Sequence, residues 1–146
     1  MKTDHKMACI LVYGLLCLSV LAGPLDGARL FGGTREGKAF YAPGETMTFE
    51  ARAEGITNAV PPDTYFVQWE RTGADGLCVT NRQPLSLNKP MAFRTSLKCP
   101  GFVRVRADFV DKSGAFVLRN TGDLFWADNS FNGGAGVQPE KLEAAP

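Results

Sequence analysis

The sequence predicts an all-β protein, an immunoglobulin-like antiparallel β-sandwich of about seven strands. Three observations lead there. Several short stretches alternate apolar and polar residues, and none follows the helical period of about 3.6 residues. Turn signals rich in glycine and proline separate those stretches at intervals of about ten residues. Hydrophobic residues make up 45% of the chain, ten of them Phe, and 146 residues give room for one domain with one core.

The first segment reads as an address. Lys2 and Lys6 form a basic start, an uncharged apolar run follows from Met7, and Val20-Leu21-Ala22 suits a signal peptidase. A membrane anchor is the alternative. The run is shorter than the ~20 residues a span needs, and Gly23-Pro24 break it. Residues 1–22 are therefore expected as a cleaved signal peptide. The mature chain is expected to be secreted or periplasmic, with no stable membrane insertion after cleavage.

Residues 23–37 show no period and are expected to form an extended lead-in to a sandwich over residues 38–128. Lys38 to Ala42 is a short extended piece, stopped by Pro43-Gly44. From Thr46 to Ala53, Met47, Phe49, Ala51 and Ala53 share one face and Thr48, Glu50 and Arg52 the other, as in a half-buried strand. Tyr65 to Arg71 is the next strand, ended by Gly73-Ala74-Asp75-Gly76. A short edge strand is expected from Leu77 to Thr80, then connection through Pro84 and Pro90. Met91 to Leu97 alternates again. Phe102 to Val110 is the strongest strand, with Val103, Val105, Ala107 and Phe109 inward. The chain then turns at Asp111-Lys112-Ser113-Gly114 and pairs back from Ala115 to Arg119, with Leu124-Phe125-Trp126 as a possible extension. Met47, Phe49, Val67, Trp69, Phe93, Leu97, Val103, Val105 and Phe109 are the expected core. Residues 129–146, glycine-rich and then carrying Pro139, are expected as a linker tail.

The composition excludes several kinds of chemistry. A net charge of +1 leaves no basic footprint for nucleic acid. The chain has a single histidine, His5, which leaves with the signal peptide. Serine and cysteine hydrolases of the usual kind need an imidazole base. No serine elbow, Walker loop or dinucleotide fingerprint occurs. Nothing in the spacing marks two carboxylates as a glycosidase pair. Asp111 and Ser113 suit the turn they sit in better than a calcium site. No catalytic, cofactor-binding or metal-binding residues are therefore expected, and no cofactor.

The surface offers a few candidates. Trp69 is expected at the core centre rather than as a ligand platform. One of Phe125, Trp126 and Phe131 could stack on a sugar, although packing on the sheet edge is the simpler reading. Arg104 and Arg106 should share an outer face with Gln68 and Glu70, as cross-strand ion pairs or as a docking surface for a neighbouring domain. Cys9 and Cys17 leave with the signal, so Cys78 and Cys99 remain. They fall near turns at one pole, and in an oxidising compartment a bridge between them is expected, with two separate thiols as the alternative.

Four runs together resemble a known family. They are Tyr41-Ala42-Pro43-Gly44-Glu45, Trp69 to Gly76, Lys98 to Val105 with Asp111 to Gly114, and Phe131-Asn132-Gly133-Gly134-Ala135-Gly136-Val137-Gln138-Pro139-Glu140-Lys141. The last is the most specific. Over residues 38–143 the chain resembles the N-terminal β-sandwich of secreted bacterial acetylxylan esterases, the cephalosporin-C deacetylase-like carbohydrate esterases. Cys78 and Cys99 depart from that pattern. The resemblance implies a non-catalytic accessory domain whose partner is an α/β-hydrolase esterase domain and whose polymer is a plant polysaccharide. The serine, acid and histidine of the family belong to the hydrolase domain, so no catalytic residue carries over. The chain stops at Pro146, where that domain would begin, which implies a truncated or split form. The alternative is a free-standing secreted module that binds polysaccharide or protein.

Overall fold

The structure, a computed structural model, describes residues 23–56, 59–117 and 130–139. The described residues form strands and no helix. The strands are β1 (Arg29–Thr34), β2 (Phe40–Tyr41), β3 (Met47–Glu54), β4 (Tyr65–Gly73), β5 (Cys78–Pro84), β6 (Met91–Thr95), β7 (Gly101–Asp111) and β8 (Phe131–Val137). They make a three-stranded sheet, ordered β1-β3-β6, and a five-stranded sheet, ordered β2-β8-β7-β4-β5. The chain is an all-β sandwich of immunoglobulin-like type, with eight strands among the described residues where about seven were expected.

The period-two pattern sets which side chains meet between the sheets. Met47, Phe49 and Ala51 of β3 face Val67 and Trp69 of β4 and Val103, Val105, Ala107 and Phe109 of β7 in one cluster. All nine residues expected in the core are buried. Trp69 joins the sheets, stacking on Phe93 of β6 with centroids 5.7 Å apart and meeting Phe131 of β8 edge-on at 6.3 Å. Gly44 and Gly76 take φ of +77° and +75° in their turns, where a side chain would be strained.

Several expectations need correction. The lead-in over residues 23–37 is part of the sandwich. Arg29–Thr34 pairs antiparallel with β3, and Leu25, Ala28 and Leu30 are buried. Its sequence hides this because Gly32 occupies a place where the strands leave no room: a Cβ there would lie 2.2 Å from the Glu50 carbonyl oxygen. The linker expected over residues 129–146 is wrong for its described part. Phe131–Val137 is an interior strand between β2 and β7, with Phe131, Ala135 and Val137 buried.

The sheet is also not wholly antiparallel, because β2 pairs parallel with β8. The edge strand expected to end at Thr80 runs on to Pro84, where proline's missing N–H is harmless at a strand end. The expected return after the hairpin is seen as a bridge from Val110 to Phe116 and as Val117 N–H donating to the Phe109 carbonyl. Residues 1–22, 118–129 and 140–146 lie outside the described residues. The signal peptide, Phe125, Trp126 and the end of the expected tail fall there.

Candidate binding face

The outward side chains of the five-stranded sheet form the candidate site. Alternation that sends Val103 and Val105 inward sends Phe102, Arg104 and Arg106 outward. On β8 it sends Ala135 and Val137 inward, which leaves Asn132, Gly134 and Gly136 outside. Phe40 of β2 and Phe102 of β7 both register against Gly136. The row Phe40-Gly136-Phe102 thus crosses three strands, with the two Phe Cα atoms about 10 Å apart by strand spacing.

Both rings lean inward over β8. A Cβ at Gly134 would lie 2.1 Å from Phe102 Cζ, and one at Gly136 would lie 3.0 Å from Cδ1 and Cε1 of Phe40. The rings fill the space that side chains on β8 would need. They stay 59% and 56% exposed. The result is an aromatic pair laid over a glycine floor and open to solvent. Sequence reasoning missed it because the glycines read as linker. The available signal was the parity of Gly134 and Gly136 about the inward Ala135, beside a Phe that is out of phase with its strand's apolar face.

Arg104 and Arg106 lie on this face, as expected. Arg104 registers opposite Gly134 and Thr72, and Arg106 opposite Asn132 and Glu70. The ion pair that forms is not the cross-strand one. Arg106 Nε meets Asp108 Oδ2 at 2.9 Å along the same strand. Gln68 lies opposite Asp108. Arg104 is exposed and makes no ion pair or hydrogen bond among the described residues.

A second feature lies on the other side of the sheet. The inner face of β5 extends past the edge of β6 and leaves a cleft of about 560 Å³, lined by Leu77, Val79, Asn81, Arg94 and Ser96 among others. Arg71 stands at its base, 2% exposed. Its Nη1 and Nη2 donate to Asp75 Oδ1 and Oδ2 at 2.6 and 2.7 Å. They also donate to the carbonyls of Leu77 and Ser96, and Nε donates to Thr95 Oγ1. A guanidinium has five N–H donors, and all five are used. Arg71 therefore clamps the β4–β5 turn to β6 and has no donor left for a ligand. The Arg71 hydrogen bonds lower the Asp75 pKa to about 2.

The remaining candidates resolve simply. Trp69 is fully buried in the core, and Phe131 packs beneath it rather than against solvent. Asp111 Oδ1 accepts from Ser113 N, Ser113 Oγ and Ala115 N, all within 3.0 Å, so the pair closes its hairpin. The Ser113 hydroxyl, with those backbone donors, holds the Asp111 carboxyl below its usual pKa. Among the described residues no three His, Cys, Asp or Glu side chains gather as metal ligands.

The expected Cys78–Cys99 bridge is absent, and both thiols are free. Cys78 registers with the outward Thr72 and is exposed, whereas Cys99 packs against the core. Cys78 sits on edge strand β5 and Cys99 in the bend before β7.

No protein-family profile matches the chain, and no curated protein matches it. Three solved structures are similar to it. The CARDB domain of a Pyrococcus furiosus protein, in complex with di-metal ions, has a TM-score of 0.46 at 12% identity, over 75% of this chain and 86% of that one. The PKD domain of an M14-like peptidase from a Thermoplasmatales archaeon has 0.40 at 13%, over 76% and 90%. Spo0M, a sporulation control protein of Bacillus subtilis, has 0.41 at 15%, over 77% of this chain and 50% of that one.

Proposed function

We propose that the chain is a non-catalytic accessory module that binds a polysaccharide. On this reading it is exported and holds polymer for a carbohydrate esterase, in the manner its resemblance to the acetylxylan esterase N-terminal sandwich implies. The observation that carries the reading is the exposed pair Phe40 and Phe102 over Gly134 and Gly136. Aromatic rings offer broad apolar faces at little conformational cost, and the C–H faces of a sugar ring match them.

Size favours a glycan over a free protein partner. At 59% and 56% exposure the two rings present a little over 200 Å² of apolar surface, taking about 200 Å² for a whole Phe side chain. A stable protein interface takes about 800 Å² from each partner. A covalently joined hydrolase domain would need far less, because the linker supplies effective concentration. The module and its esterase partner are therefore compatible with a small contact elsewhere on the sandwich.

The test is affinity electrophoresis of the purified chain in gels with and without neutral xylan. Retardation is expected, and Phe40→Ala and Phe102→Ala should each reduce it while melting temperature holds. Equal mobility in both gels would refute polysaccharide binding. Retardation unchanged by both substitutions would move the site off this face.

A further inference from the structure

We infer that the preferred glycan is acidic, a uronate-bearing chain whose sugar stacks on Phe102 and whose carboxylate is taken by Arg104. The inference rests on the glycan reading above and names its ligand class. Arg104 follows Phe102 by two residues on the same face, about 7 Å along the strand. Directly across from it is Gly134, the position over which the Phe102 ring tip lies. No side chain on β8 therefore stands between ring and guanidinium.

The charges around the rings single Arg104 out. Of the other cations on this face or its rim, Arg106 is matched by Asp108 and Lys38 by Glu45, while Arg82 stands on edge strand β5, two strands from Phe102, over the Phe66 ring with a donor to the Lys112 carbonyl. Glu70 lies one row farther from Phe102, opposite Arg106. Arg104 alone among these has its planar fork of five donors uncommitted among the described residues. That fork fits a carboxylate by two parallel hydrogen bonds. A neutral sugar on the same rings would gain the stacking alone. A protein carboxylate is a poorer fit, because an acidic peptide brings no flat apolar ring for Phe102 and Phe40.

The experiment uses the full purified chain against three polymers: polygalacturonate, the same polymer with its carboxyls reduced to alcohols, and poly-L-glutamate. At low ionic strength polygalacturonate should bind about fivefold more tightly than its reduced form, the scale of one exposed charge pair. Added salt should erase the difference. Arg104→Gln should also erase it, leaving binding of the reduced polymer and the melting temperature unchanged. Arg104→Lys should restore part of it. Phe102→Ala should weaken both sugars alike.

Equal affinity for the two sugars, or a preference that survives Arg104→Gln, overturns the inference while leaving the glycan reading intact. Poly-L-glutamate bound as tightly as polygalacturonate overturns it in favour of simple polyanion attraction. No binding of either sugar overturns both.

Discussion

Replacing Gly134 with alanine tests the aromatic pair through stability, independently of any ligand. In an ordinary strand Gly→Ala stabilises by about 0.5–1 kcal/mol, because glycine loses the most backbone freedom on folding. Here the new Cβ would lie 2.1 Å from Phe102 Cζ, 2.6 Å from Cε1 and 2.7 Å from the Val103 carbonyl oxygen. The ring must swing out by roughly 1.5 Å to regain ordinary contact distance, at an off-rotamer cost of about 0.5–1.5 kcal/mol. The carbonyl belongs to the neighbouring strand, so β7 and β8 must also spread slightly. Overpacking of this sort costs about 1–3 kcal/mol in all.

The expected net effect is a destabilisation of about 1–2 kcal/mol in the parent. With Phe102→Ala already present the ring term vanishes, and the cost should fall by about 1 kcal/mol. Urea unfolding of the four chains, followed by the fluorescence of buried Trp69, gives the coupling directly. Additive costs would show that the Phe102 ring does not lie on β8, and a gain in the parent would refute the close approach altogether.

Three further outcomes follow from other parts of the fold. Arg71 lowers the Asp75 pKa to about 2 from a usual 3.8. The stabilisation is therefore complete above about pH 4 and lost as pH falls through about 2. Melting temperatures from pH 5 to pH 2 should fall in the parent and fall less in Asp75→Asn, which is less stable throughout; parallel profiles would refute the clamp. Thiol titration of the folded chain should label Cys78 quickly and Cys99 slowly, with two thiols per chain in denaturant if Cys9 and Cys17 are absent. No reactive thiol in denaturant would restore the bridge. Limited proteolysis should spare Phe131–Val137, whose backbone is paired on both sides in its C-terminal part; early cleavage within it would refute its place in the sheet.

What could be read from the sequence follows from where apolar side chains alternate. β3, β4 and β7 carry Met47-Phe49, Val67-Trp69 and Val103-Val105 at period two, so their inward faces were legible. β1 and β8 were not. Their pattern is interrupted by Gly32, Gly134 and Gly136, whose missing side chains make room for a carbonyl or for Phe rings from neighbouring strands. That information resides in partners far away in sequence, and local composition pointed instead to a linker. The clamp of Arg71 was half legible. Its parity with Val67 and Trp69 sends it inward, and an aspartate four residues on in the turn is the counter-ion such burial requires. The thiols were misjudged because proximity of two turns says nothing about whether each side chain turns to solvent, as Cys78 does, or toward the core, as Cys99 does.

The place of β8 in the five-stranded sheet also governs when the domain can form. It is the last described strand in sequence and an interior one in space, and among the described residues β2 pairs with no other strand. Its parallel ladder with Phe40–Tyr41 joins residues nearly a hundred positions apart, so its loop-closure entropy must be met before the contact forms. A nascent chain that lacks Phe131–Val137 can zip hairpins such as β4–β5 but cannot close the sheet or cover Trp69 on its β8 side. Closure of the described five-stranded sheet therefore waits on β8, so the sheet's middle is completed by the strand that emerges last among those described.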